Sequence, residues 1–368
     1  MGMIGLLSLL AGATGLVPPP PPILISPPDP SQSTDTPAPQ LVSWIPGPVR
    51  CETGAEAPVV EGRRPYNTLW NGRGSPPSAM AFEFAIDPTG RPLSIVRTSP
   101  PAYAQGTAGP ALASSRYEVG AAREGCSITY QPVMRPADKA EPVELASYVM
   151  TNQTPRLPKE AYDRLHAGDE CRPGTQPLMR AFPNFDDIPA TPGVRDWAMI
   201  GFDVAASGET VNVRHLYGTG NDALAKASEE AVENSRFTEG PLRRNCSYPY
   251  WRNAAVLPAP PAPPRAPGWT DLCEALEWNR EPQRIFPEAY LARSIEGWAD
   301  IAYDVATWGE VGNVRVLRAE PTDDFGEAAK RMIERSSAQK NTGFTNCETR
   351  VFYRMQGSGA PEPASVNS

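Results

Sequence analysis

Histidine is almost missing from this chain, with two among 368 residues. His166 and His215 stand far apart, and no CxxC or Cys/His cluster of ligand spacing occurs, so the sequence predicts no metal site. Catalytic signatures are missing as well. There is no G-x-S-x-G, no HExxH, no phosphate loop and no G-x-G-x-x-G, and the expectation is a protein that is not an enzyme and carries no cofactor. Positive charge is in short supply: 34 Lys and Arg against 42 Asp and Glu leave a formal net charge of -8. Without a basic field for phosphate backbones, nucleic acid is not an expected partner. Long apolar runs are lacking too, since the one at the N-terminus ends at Val17, short of the roughly 20 residues a membrane-spanning helix needs.

Proline, by contrast, is abundant, at 44 residues, more than twice the usual share of about 5%. It divides the chain. Residues 1–17 read as a signal peptide or short apolar anchor, with a small-x-small site at Ala11 and Ala13 and no Lys or Arg before the apolar run. Residues 18–45 read as a Pro-rich linker, and 255–268 as a second one, with Leu257 to Pro267 forming an extended polyproline spacer. The last residues, 357–368, read as a disordered tail.

Six cysteines carry the strongest pattern. Cys51 and Cys126, Cys171 and Cys246, and Cys273 and Cys347 are separated by 75, 75 and 74 residues, a period that signals internal repeats. Aligned on the cysteines, Trp197-Ala-Met-Ile-Gly-Phe-Asp-Val-Ala205 lies over Trp298-Ala-Asp-Ile-Ala-Tyr-Asp-Val-Ala306. Gly208-Glu-Thr-Val-Asn-Val-Arg214 lies over Gly309-Glu-Val-Gly-Asn-Val-Arg315. The first copy keeps Phe82 to Gly90 and Ser94 to Arg97. Three modules follow, at 46–135, 156–254 and 269–356, the first degenerate. Six cysteines allow fifteen pairings; the repeat selects one disulfide per module, each closing a loop worth about 4.5 kcal/mol by chain entropy in an oxidising compartment.

Within a module the fold class is α+β. Ala299, Ile301, Tyr303 and Val305 alternate with polar or small residues, the period of a half-buried strand, and Thr307-Trp308-Gly309-Glu310 is a hairpin turn. Asn313 to Ala319 is the return strand. Phe325, Ala328, Ala329, Met332 and Ile333 form one helical stripe behind Thr322 to Asp324, and Leu224, Ala227, Ala231 and Val232 repeat it. In the first copy Gly106, Gly109 and Pro110 weaken that helix. A short helix at Phe286 to Tyr290 precedes the hairpin, another falls at Glu144 to Met150, and a last strand runs from Thr349 to Met355. The expected unit is a three-stranded antiparallel sheet with two helices on one face. Asp87, Asp203 and Asp304 read as turn caps, and Arg97, Arg214 and Arg315 as solvent-facing strand residues, with binding of carboxylates of a peptide or of cell-wall material as the alternative. The shared Trp197 and Trp298 read as packing, Trp308 in its hairpin turn as either a contact residue or one exposed by chance, and both histidines as surface or rim residues.

Arg284 to about Met355 resembles the C-terminal domain of TonB-family energy transducers. Phe286-Pro287, Ala289, Ala292-Arg293, Glu296-Gly297, Ile301 to Val305, Gly309-x-Val311, Asn313-Val-Arg-Val-Leu317 and Ala328-Ala329 carry the resemblance. It implies a periplasmic domain, soluble or anchored to the inner membrane through its N-terminus, that grips a protein or peptide partner in the cell envelope, an outer-membrane receptor among them. The grip implied is strand addition to an exposed edge formed by Thr349, Arg350, Val351, Phe352 and Tyr353. The family has one such domain where this chain has three modules. The other expectation is a cell-envelope scaffold with no transport role.

Overall fold

The computed structural model describes residues 38–355 apart from 53, 55, 100–106, 153–154, 173–174, 265–272 and 274–275. The signal or anchor expected at 1–17, most of the first linker and the tail at 357–368 lie outside the described residues. Every cysteine is paired as the repeat selects. The fold is α+β, with antiparallel sheets and six α-helices among the described residues.

The first module runs β1 (Gln40–Pro46), β2 (Val59–Glu61), β3 (Thr68–Trp70), β4 (Met80–Ile86), β5 (Pro92–Arg97), α1 (Ala108–Ser114), β6 (Arg116–Tyr117) and β7 (Arg123–Pro136). Helices α2 (Pro142–Thr151) and α3 (Lys159–Leu165) connect it to the second module. That module comprises β8 (Pro177–Met179), β9 (Asp196–Val204), β10 (Thr210–Gly218), α4 (Asp222–Glu233), β11 (Arg236–Phe237) and β12 (Arg243–Arg252). The third has β13 (Trp278–Arg280), α5 (Glu288–Leu291), β14 (Gly297–Val305), β15 (Val311–Glu320), α6 (Asp323–Glu334), β16 (Ser337–Ala338) and β17 (Phe344–Tyr353).

Modules two and three have the expected three-stranded sheets, β10-β9-β12 and β15-β14-β17. The period-two pattern of β14 works as read: Ala299, Ile301, Tyr303 and Val305 are buried under α6, whose Phe325, Ala328, Ala329, Met332 and Ile333 form the other half of the layer. Each such side chain taken fully out of water is worth about 1.5–3 kcal/mol for the larger ones. The expected pair of helices on one face is found only in part. One turn of α5 precedes the third hairpin, a 3-10 turn at Phe185–Asp187 precedes the second, and β3 stands before the first.

Three departures from the sequence reading have physical causes. The linker expected at 18–45 ends early, because Leu41, Val42 and Trp44 are buried apolar side chains that turn 40–46 into β1. The first sheet thereby has five strands, β3-β1-β7-β4-β5. The last strand of the third module starts at Phe344 and not at Thr349, since Cys347 itself pairs with Tyr303 in the ladder. Finally, α1 forms despite its glycine and proline. Every residue of it is buried, and a Cβ on Gly109 would come 2.5 Å from Tyr290 Oη and 3.1 Å from Asp324 Oδ2. The small residues let module three press against this helix, so modules one and three share one hydrophobic core.

A short two-stranded sheet recurs in each module, pairing β2 with β6, β8 with β11 and β13 with β16. It explains the repeated turn glycine. Gly90, Gly208 and Gly309 have φ of +79°, +82° and +93°, and a Cβ on any of them would land on the carbonyl oxygen of Tyr117, Phe237 or Ala338. Those same three residues donate their N–H to the glycine carbonyls at 2.8–2.9 Å.

Candidate functional site

A second repeated feature shapes the sheet edges. Ser94, Asn212 and Asn313, four residues past each turn glycine, have φ of 50–54°. Gly125, Asn245 and Asn346, each just before the second cysteine, have φ of 55–58°. The ladder registers shift at most of these positions, as β-bulges do. Asp203 and Asp304 serve these bulges rather than the turns. Asp304 accepts from Asn313 Nδ2 at 2.6 Å and from the Asn346 N–H at 2.7 Å, and those two bonds hold its carboxyl below the ordinary range. Asp87 lies elsewhere in the register and does cap its turn, accepting from Thr89 and Arg91. Arg214 and Arg315 are exposed, as expected of solvent-facing strand positions. Arg97 instead faces module three, where its backbone and charge act on Asp323.

The edge strands decide where another chain could pair. Along β7, residues Pro136 down to Tyr130 pair with Gln40 to Pro46 of β1, while Tyr130 to Arg123 pair with β4 on the other side. The N-terminal segment then continues along the same outer edge: Gly47 N–H donates to Thr129 O at 2.8 Å, and Arg50 and Ser127 exchange both backbone bonds. The chain has thus added a strand of its own to this edge. The matching edge of β12 carries Pro249, which lacks the N–H a pairing strand would need. On β17 no strand lies beyond it among the described residues.

The predicted edge residues fall on two faces of β17. Val351 and Tyr353 point into the core, Tyr353 against Phe286 and Phe325, and Thr349 is half-buried on that side. Arg350 and Phe352 lie on the opposite face. Arg350 makes a two-pronged pair with Asp300, at 2.6 and 2.8 Å, and Phe352 O accepts from the Arg284 guanidinium at 2.6 Å. That bond shows that the Phe352 carbonyl faces outward. By alternation, Glu348 and Arg350 present their backbone groups on the same side.

The described part of the second linker, 255–264, does not act as a free spacer. Leu257 N–H donates to Ser294 O, and Leu257 O accepts from Glu296 N–H. Beyond it, Pro260 O accepts from the Trp298 indole Nε1–H at 2.9 Å and Pro263 O from Arg350 at 2.7 Å. Trp298 is fully buried beneath this strap, with the Arg318 and Arg350 guanidinium groups 5.6 and 5.0 Å from its ring centroid. Its counterpart Trp197 is covered differently, by α2, α3 and Leu41. Both tryptophans pack, as expected. Trp308 stands out in the hairpin, 70% exposed, with its indole on Glu310.

Module two also contains a cavity of about 430 Å³ beside the Cys171–Cys246 bond, lined by Tyr162, Arg172, Arg180, Phe202, Tyr248 and Tyr250 among others. Burial raises the Asp169 carboxyl there. Asp169 lies with the sulfurs of Cys171 and Cys246, but these are joined in a disulfide and offer no thiolate for a metal. His166 is not the rim residue expected. Its ring lies tilted against Tyr162, 4.6 Å between centroids, with its side chain 8% exposed, and burial, then Arg172, pull it down to about 4. His215 is exposed.

A residue missed in the sequence is Arg293, buried between all three modules. It donates to Gly193 O and Arg64 O at 3.3 and 2.8 Å and lies over the Tyr66 ring at 4.1 Å. Its signal was present as Ala292-Arg293, just after the third module's short helix. No family model matches the chain, and no curated protein matches it. No helix among the described residues is long and apolar enough to cross a membrane, and three disulfides fit an oxidising, extracytoplasmic compartment.

Proposed function

We propose that this chain is a periplasmic, TonB-like binding protein that engages a membrane-protein partner by adding an extended peptide segment to the outer edge of β17. The observation that carries this reading is the seating of residues 40–50 on the matching edge of β7, where the chain supplies its own added strand. The edge of β17 has the same outward backbone groups at Glu348 and Arg350, and main-chain pairing of this kind gives affinity while alternate side chains give specificity. The resemblance of Arg284 to Met355 to TonB C-terminal domains supports the choice of an outer-membrane receptor as partner, in energy-coupled transport. A cell-envelope scaffold with no transport role is the second reading. It is favoured by the locking of 40–50 into the first sheet, where the chain fills one open edge without an outside partner.

The test uses the full chain carrying a photo-crosslinking residue at Glu348, mixed with an outer-membrane extract. The expected result is a crosslink to a receptor, lost when proline replaces Phe352 in the same chain, because proline removes an outward N–H of β17, as Pro249 does in module two, and leaves the Arg350 side chain in place. No receptor crosslink, or one that survives Phe352→Pro, sinks the reading and leaves the scaffold.

A further inference from the structure

Along the segment 257–264 the exposed residues recur every third position, and the two buried ones are three apart. Leu257 and Pro260 are buried, Pro258, Pro261 and Pro264 are exposed, and Ala259, Ala262 and Pro263 are half-buried. Three residues per turn is the repeat of the polyproline II helix, whose backbone makes no internal hydrogen bonds and leaves its carbonyls free to accept from a receptor. Here three of them do so: Pro258 O from Arg91 at 2.6 Å, Pro260 O from the Trp298 indole at 2.9 Å, and Pro263 O from Arg350 at 2.7 Å. An indole N–H donated to a proline carbonyl beside an aromatic face is the chemistry by which aromatic-lined grooves hold Pro-rich peptides. The Asp300 carboxylate fixes the Arg350 guanidinium by two bonds, so the second donor is held in place.

We propose that Trp298, Arg318 and Arg350 form a binding site for proline-rich segments of the form apolar-x-x-Pro-x-x-Pro, which the chain's own strap fills and a proline-rich segment of another molecule can enter when the strap lifts. The site is on the face of the third sheet opposite α6, and it does not depend on pairing at the β17 edge. A strap tethered next to its site has an effective concentration in the millimolar range, so a second molecule competes only near that concentration unless the strap is weakened.

The probe is a synthetic peptide with the sequence of residues 257–265, against a scrambled peptide of equal composition, followed by the Trp298 indole cross-peak in two-dimensional NMR and by calorimetry on the full, oxidised chain. In the wild-type protein the peptide, carrying a nitroxide spin label at its end, is expected to broaden that cross-peak at about millimolar concentration, with the labelled scrambled peptide inert. In the Pro260→Ser, Pro263→Ser double variant, with its three disulfides confirmed by non-reducing mass mapping, binding should tighten by about tenfold or more. Adding Trp298→Phe, which keeps a ring and removes the donor, should reverse that gain. A wild-type cross-peak that stays sharp up to the solubility limit of the labelled peptide overturns the proposal, as does an intact double variant that binds no better than wild type. Neither result bears on the crosslink at Glu348.

Discussion

Arg293 touches the three modules with one side chain, through two backbone carbonyls and the face of Tyr66. Replacing it with alanine leaves both carbonyls without donors in a buried place, and Arg293→Ala should lower stability by about 2–4 kcal/mol in urea denaturation. Gly309 makes a second prediction. Its φ of +93° and the Ala338 carbonyl against it both reject a side chain, so Gly309→Ala should cost about 2–3 kcal/mol by the same measurement. Asp323, at the start of α6, gives a pH dependence. Burial, then the neighbouring charge of Asp324, push its carboxyl from 3.8 up to about 6, with Arg97 opposing and Glu327 adding. A raised folded value means the folded state holds the proton more tightly than the unfolded one. The resulting penalty is nil below about pH 4, grows as pH rises and is complete above about pH 6. Asp323→Asn should therefore leave stability unchanged near pH 3.5 and raise it at pH 7 by on the order of 1 kcal/mol, less than the full shift implies because the group is partly solvated. A melting series across that pH range checks it.

Among the elements, the sheet edges differ in a way amide exchange can read. Ser127 N–H is bonded to Arg50 O, whereas Glu348, at the matching place on β17, faces out. The Glu348 amide should exchange at least tenfold faster than that of Ser127 under native conditions, and equal rates would show that something covers β17. Much of this level was legible beforehand. The alternation in Ala299 to Val305 and the helical stripe from Phe325 to Ile333 gave β14 and α6, and the near-equal cysteine spacing gave the pairing. What sequence logic missed is non-local or carried by single residues. β1 was hidden in a proline-rich stretch because only three buried apolar side chains mark it, and α1 looks like a poor helix until its neighbour in module three is known. The bulges depend on a left-handed backbone at Asn212, Asn245, Asn313 and Asn346, and Asn before each of two cysteines was their visible trace. The strap's period of three, Leu257, Pro260 and Pro263, was also in plain view, but composition alone reads as linker.

For the molecule as a whole, one core spans modules one and three, and module two has a separate interior joined to module one through α2, α3 and Trp197. Opening the third disulfide by Cys273→Ser with Cys347→Ser should cost about 2–5 kcal/mol and should loosen α1 in the first module along with α6. Opening the second, by Cys171→Ser with Cys246→Ser, should leave α1 protected. Exchange mass spectrometry on the two variants separates these outcomes. The same arrangement bears on how the molecule comes into being. Synthesis delivers the first third long before the last, yet α1 has one side that nothing covers until Tyr290 and α6 exist. A growing chain must keep that helix waiting, exposed or unformed, and maturation of its earliest part becomes the final event.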